Sequence, residues 1–242
     1  MSPLFMILIL IAVVAAGGGF VHFLQANNKS QFIKLALAFS GGFLLAIVFE
    51  HLLPELYAGK IANIGIYILV GFLIQLIMEY FSGGIEHGHI HVHKGQTMPW
   101  ALFISLSLHS IIEGIPLGNN VDHLHQLHNH DHKLSLFWGI VFHQVPVAIA
   151  LMTLLMSTTL RRGMAWFVLM LFGIMTPLGL LIGLQVPIEN IGISVSAVLG
   201  IVIGMFLHIS TTIIFETSEN HKFNLLKLSS VIVGIGAALL MH

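Results

Sequence analysis

The chain has no cysteine among its 242 residues, which excludes disulfides, thiolate metal sites, iron–sulfur clusters and cysteine nucleophiles at once. Charge is almost as scarce. Asp, Glu, Lys and Arg make up 8% of the chain, where a water-soluble domain carries about 25%. Hydrophobic residues account for 57% and the mean hydropathy is +0.96, so this is a membrane protein with a lipid bilayer as its solvent. Nine basic against ten acidic residues leave a formal charge of -1. The basic excess needed to neutralise phosphates is therefore missing, and nucleic acid is excluded as a partner. What the chain has in plenty is histidine, with 16 residues, more than Lys and Arg together. Histidine is the commonest neutral metal ligand, so composition alone joins a membrane to metal chemistry.

A hydrocarbon core about 30 Å thick needs about 20 apolar residues per helix. Eight runs of that kind stand out: 3–24, 35–53, 61–81, 98–117, 134–156, 163–184, 191–215 and 223–241. The first is too long for an ordinary signal-peptide core and has no Lys or Arg before it, so it reads as a retained helix. Eight spans put both termini on one side. Lys29, Lys34, Lys94, Arg161, Arg162, Lys222 and Lys227 lie in or beside the first, third, fifth and seventh loops, and only Lys60 and Lys133 in the others. Short basic loops stay cytoplasmic, so both termini are expected outside. The loops are short and the 24 glycines follow no strict period, which makes one polytopic domain over 1–242 the simplest organisation. Pairs such as Gly41 and Gly42 permit the close helix approach by which membrane bundles pack.

An ionisable side chain at the bilayer centre costs roughly 2.5–3.5 kcal/mol on insertion scales and needs a partner or a wet cavity. The fourth span holds His109-Ser110-Ile111-Ile112-Glu113-Gly114-Ile115-Pro116-Leu117-Gly118, which sets His109 and Glu113 on one helical face. The fifth supplies His143-Gln144-Val145-Pro146. Counting about 1.5 Å of rise per residue puts His143 and Glu113 at matched depth, roughly 4–6 Å outward of the midplane. Two imidazoles and a carboxylate suit zinc, iron(II), manganese or another first-row divalent ion. Pro116 and Pro146 each free a carbonyl one turn earlier, a break tolerated at membrane depth mainly beside a cavity. The plainer alternative is a His109–Glu113 hydrogen bond that holds the bundle, with the prolines as packing kinks.

At these residues the sequence resembles the ZIP family of divalent-metal transporters. His109, Ser110, Glu113, Gly114 and Gly118 match the family's fourth-helix pattern, and His143, Gln144 and Pro146 most of its fifth. His51-Leu52-Leu53-Pro54-Glu55 looks like its second-helix ending and Thr176-Pro177-Leu178-Gly179 like its sixth-helix segment. The resemblance implies an all-α membrane protein: an eight-helix transmembrane bundle with both termini extracytoplasmic. It also implies a divalent metal ion transporter, with zinc, iron(II), manganese or cadmium as cargo and no cofactor. Movement into the cytoplasm would be by alternating access, the first, fourth, fifth and sixth helices moving as a unit. Relatives often have Glu where Gln144 stands, His or Glu at Val147, and an acidic residue at Thr176. The second of the family's two adjacent sites is thus dismantled here. One main site is expected from His109, Glu113 and His143, with Ser110 and Gln144 as secondary contacts.

Histidines also crowd two loops. His87, His89, His91 and His93 fall in the third loop, about 83–97 and cytoplasmic by the charge count; His123, His125, His128, His130 and His132 fall in the fourth, about 119–133 and extracytoplasmic. Such runs can capture metal in passing, or simply keep a loop hydrated. Glu50, His51 and Glu55 are expected to snorkel at the outer end of the second span, where His51 and Glu55 are candidate entrance contacts. His208, beside Ser210, Thr211 and Thr212, is a candidate exit contact in the inner half of the seventh. Trp100, Trp138 and Trp166 are read as interfacial anchors. The rival function is an intramembrane zinc hydrolase, with His109, His143 and His208 as ligands and Glu113 as general base. A multi-pass protein of the cell (plasma or inner) membrane, able to pair as a homodimer, is the expectation.

Overall fold

The computed structural model describes residues 1–24, 29–59, 63–82, 97–118, 131–186, 194–215 and 225–241. Their elements are α1 (Pro3–Phe20), α2 (Lys29–Ile47), a π-helical turn (Val48–Leu52), α3 (Leu53–Ala58), α4 (Ile64–Ser82), α5 (Trp100–Gly118), α6 (Asp131–Ser157), α7 (Arg162–Gly173), α8 (Met175–Gln185), α9 (Val195–Phe215) and α10 (Leu225–Leu239). Seven stretches of described helix are long and apolar enough to cross a membrane. The eighth expected run appears as α10, which is apolar but only 15 residues long. At about 1.5 Å per residue it covers roughly 22 Å, less than the full hydrocarbon core.

Two prolines explain why the helix count exceeds the span count. Pro54 has no N–H and its ring collides with the carbonyl one turn back, so the second span widens before it: Leu53 N–H bonds Val48 O, five residues earlier. Pro177 likewise cannot donate to Gly173 O, and the sixth span breaks there into α7 and α8. The helix resumes at once, with Leu178 N–H donating to Ile174 O at 2.9 Å. Pro116 and Pro146 are carried inside continuous α5 and α6.

With lipid outside, helices gain little from hiding apolar surface from each other, and small residues that let backbones touch decide which ones pair. Three seams are built this way. A Cβ on Gly114 or Gly118 of α5 would land on Thr176 O or Leu180 O of α8, and one on Gly179 or Gly183 of α8 on Ile111 O or Ile115 O of α5. Gly71 of α4 and Gly204 of α9 do the same against Ile201 O and Ile68 O. Gly42 of α2 and Gly234 of α10 lie on Val231 O and Phe39 O. A looser contact joins α1 to α6, where a Cβ on Gly17 would sit 3.0 Å from Ala148 Cβ. Between α2 and α6 the glycine contact is of another kind, with Gly139 facing side-chain atoms, Leu44 Cδ2 the nearest at 3.3 Å.

The apolar core forms two clusters. Along α5 the first includes Leu106 and the second Leu117; along α6 the second includes Val141 and the first Val147; along α2 Ala38 belongs to the first and Phe43 to the second. The polar residues of these helices therefore form a band between two apolar plugs. At one end of the bundle Arg162 Nη2 meets His22 Nε2 at 3.0 Å, bringing the end of α1 to the start of α7. Lys227, read above as a loop cation, is instead buried in α10, where Nζ donates to Ile213 O near the end of α9. A cation is favourable at that carbonyl-rich terminus. Of the three tryptophans only Trp100 is well exposed at a helix start. Trp138 and Trp166 are half-buried, Trp138 two turns into α6 because that helix begins at Asp131.

If the α5–α8 seam sets the register of the bundle, Gly179→Val should destabilise it by about 1–3 kcal/mol or more, as overpacking does. Gly236→Ala, where a Cβ meets nothing within 4 Å, should leave stability unchanged or raise it by up to about 1 kcal/mol. Thermal unfolding in detergent distinguishes the two.

Candidate metal centre

His109 and Glu113 are four residues apart on α5, and their facing atoms, Nε2 and Oε2, are 3.3 Å from each other. Both side chains are buried, Glu113 to 1% exposure. From α6, His143 brings its ring centroid to 6.0 Å from that of His109, nearly perpendicular to it. Gln144, next along α6, donates from Nε2 to Glu113 Oε1 at 3.5 Å and to Thr176 Oγ1. Thr176 passes the chain on, its hydroxyl donating to Glu113 Oε1 at 3.1 Å. The break before α8 and the glycine seam to α5 are what let a threonine reach that carboxylate.

The remaining nitrogens are held from two further helices. Gln75 Oε1 on α4 stands 3.0 Å from His109 Nδ1, and Ser40 Oγ on α2 stands 3.1 Å from His143 Nδ1. An amide oxygen only accepts, so His109 Nδ1 carries the proton. Nε2 is then the ring atom turned toward a carboxylate oxygen. That 3.3 Å separation is also the edge of a tetrahedron with metal bonds of about 2.0 Å, so the two atoms are spaced as two ligands of one ion would be. His143 Nε2 and Gln144 Oε1 are buried without a hydrogen-bond partner among the described residues. Burying a carboxylate costs several kcal/mol unless its charge is balanced, and the donors on Glu113 Oε1 are neutral. The arrangement is gathered but not closed: among the described residues no three His, Asp or Glu side chains are set to hold an ion as they stand.

The other expected residues distribute as follows. Ser110 is buried on α5 but takes no part in this hydrogen-bonded cluster. His51 lies in the π-helical turn at 6% exposure, so it is packed inside rather than snorkelling, because the widened turn before Pro54 directs it inward. Glu55 is half-buried on α3 and Glu50 exposed. His208 on α9 meets Glu79 of α4, Nε2 to Oε2 at 3.3 Å, with Phe72 stacked edge-on at 4.7 Å. His87, His89, His91, His93, His123, His125, His128 and His130 lie outside the described residues, and His132 is described only as backbone in the first turn of α6.

Sequence reasoning missed Ser40, Gln75 and Glu79, and read Thr176 as part of a sixth-helix motif and as a missing acid but not as a hydrogen-bond partner of Glu113. Gln75 and Glu79 are one helical turn apart within an apolar run, a spacing that could have marked one face of α4 as polar. Ser40 carried no such signal, being a small residue before Gly41 and Gly42.

Fold and site together define a class, a multi-pass α-helical membrane protein with a buried His/Glu centre of the kind that accepts a cation. Residues 83–242, well over half of the chain, match the family model of the ZIP zinc transporters. The chain is 25% identical over 232 residues to zinc transporter ZIP1 of Homo sapiens, covering 76% of this chain and 69% of that protein. It is 25% identical over 280 aligned positions to zinc transporter ZIP3 of Bos taurus, covering 88% and 86%. Protein zntD of Dictyostelium discoideum is 24% identical over 174 residues, covering 66% of this chain and 24% of its own length. The chain belongs to the ZIP zinc transporter family and is a metal transporter, with metal as substrate. Nothing in these likenesses supports the hydrolase, and His208 engages Glu79.

Because Thr176 and Glu113 join α8 to α5, Thr176→Val should cost about 0.5–2 kcal/mol, the range of interhelical hydrogen bonds in membranes. The same change in a Glu113→Gln background should cost less. A double-mutant cycle on thermal unfolding reads the difference.

Proposed function

We propose that the protein carries zinc, with iron(II), manganese and cadmium as further substrates, into the cytoplasm by alternating access through one site formed by His109, Glu113 and His143. The observation that carries this reading is His109 Nε2 set 3.3 Å from Glu113 Oε2, with His143 beside them, in a band between two apolar clusters. An ion there replaces water with two imidazole nitrogens and a carboxylate oxygen, a set that suits zinc. One carboxylate leaves a divalent ion with net positive charge, which favours release over tight retention. Gln144 Oε1 is an additional oxygen donor on the same side, and Ser110 a further polar contact.

Alternation follows from the two plugs. Ions enter when one apolar cluster parts and leave when the other does. The glycine seams support a division of the helices, since α5 with α8, α4 with α9 and α2 with α10 meet at backbone level, while α6 crosses α2 through side chains. His51 and Glu55 belong to the outer path in this scheme, and His208, with Glu79, to the inner. The loop histidines His87 to His93 collect ions at the cytoplasmic mouth, and His123 to His132 at the outer one. One domain over 1–242 in the cell membrane, both termini outside, completes the reading, with a homodimer as the natural assembly on its lipid-facing helices.

Zinc uptake by proteoliposomes tests it. Glu113→Ala should fall to the level of protein-free vesicles while inserting normally, since the carboxylate that balances the ion is gone. Wild-type flux in that variant would place the transport site elsewhere.

A further inference from the structure

Ser40 and Gln75 are both fully buried polar side chains on helices that face lipid elsewhere. A lone polar group at such depth is costly unless bonded, and each of these is bonded to a histidine of the cluster: Ser40 Oγ at 3.1 Å from His143 Nδ1, Gln75 Oε1 at 3.0 Å from His109 Nδ1. Both bonds use Nδ1, which leaves His109 Nε2 against Glu113 and His143 Nε2 without a hydrogen-bond partner among the described residues. They also share a topology. Ser40 is on α2 and Gln75 on α4, helices locked by glycine to α10 and α9, whereas the histidines are on α6 and α5, the latter locked to α8. A third bond runs the same way, from Ser105 Oγ of α5 to Met78 O of α4 at 2.6 Å.

We infer that Ser40 and Gln75 are positioning residues for ion capture and release: they hold the imidazoles of His143 and His109 from across the seam between two helix groups. While the groups are docked as seen here, each Nδ1 is engaged, His109 Nε2 faces Glu113, and His143 Nε2 is buried without a hydrogen-bond partner among the described residues. Outer partners of this kind fix the tautomer and ring orientation of a ligating histidine and raise its basicity. A relative shift of the groups by one helical turn, about 5.4 Å, breaks both bonds together. The rings are then free to rotate, and the site loses its preorganisation in the same step that moves it. Ion affinity is in this way tied to the position of one helix group on the other, without either residue touching the ion.

The inference rests on the metal site proposed above, so Glu113→Ala is measured beside it. Zinc flux into proteoliposomes is followed against zinc concentration for Ser40→Ala, Gln75→Leu and Gln75→Glu, with the metal-free unfolding temperature of each. Ser40→Ala and Gln75→Leu should raise KM by about 10-fold or more, the usual effect of losing such a partner, with unfolding temperatures close to that of the unchanged protein. Gln75→Glu, which keeps an oxygen opposite Nδ1, should return KM to within a few fold. Unchanged KM in both deletion variants, or Gln75→Glu as defective as Gln75→Leu, would overturn the inference while an inactive Glu113→Ala left the site standing. If Gln75→Leu fails to fold, Ser40→Ala alone decides. Active Glu113→Ala would remove the site itself.

Discussion

The structure depends on keeping a carboxylate, Glu113, at 1% exposure inside a bundle whose outer solvent is lipid. The break in the sixth span and the α5–α8 glycine seam both bear on that one group. The sixth span breaks at Pro177 and places Thr176 under Oε1 at 3.1 Å. Four glycines let α8 approach α5 closely enough for that bond to form. Gln144 completes the donors on the same oxygen, and His109 Nε2 stands 3.3 Å from the other. Neutral donors orient a charge without cancelling it, which is why we propose a cation as the balancing group.

Glycine and serine determine where the molecule can move as well as where it is tight. Backbone contact through a glycine seam leaves no side chains to repack, so in the proposed alternation such a pair is taken to move as one body. Side-chain contact, as between α2 and α6, has alternative packings. Two of the polar bonds that cross between these helix groups among the described residues, Ser40 to His143 and Gln75 to His109, run through the ligand candidates, which in the proposed scheme makes binding and motion one event. Lys227 has a separate part, fastening α10 to a carbonyl of α9 near its end.

Much of this was legible in the sequence because the membrane makes polar residues conspicuous. The apolar runs located the helices, and His109, Glu113, His143 and Gln144 stood out as groups that lipid would not tolerate alone; the structure does bring them together. Thr176 and Pro177 were legible as a motif but not as a hydrogen bond and a helix break, since a contact between the fourth and sixth spans leaves no local pattern. Ser40 is invisible for the same reason, as a small residue in an apolar run reads as packing. His51 was misplaced because the π-helical turn before Pro54 shifts the helical phase that depth arguments assume.

The central claim is that one divalent ion is held between His109 Nε2, His143 Nε2 and Glu113. Anomalous diffraction at the zinc edge from zinc-loaded crystals tests it most directly. The account predicts a peak within this cluster, with metal–ligand distances of about 2.0–2.2 Å, after a small closure of the His143 ring toward His109. Zinc found only at other positions in the crystal, with the cluster still in the open arrangement described above, would contradict it.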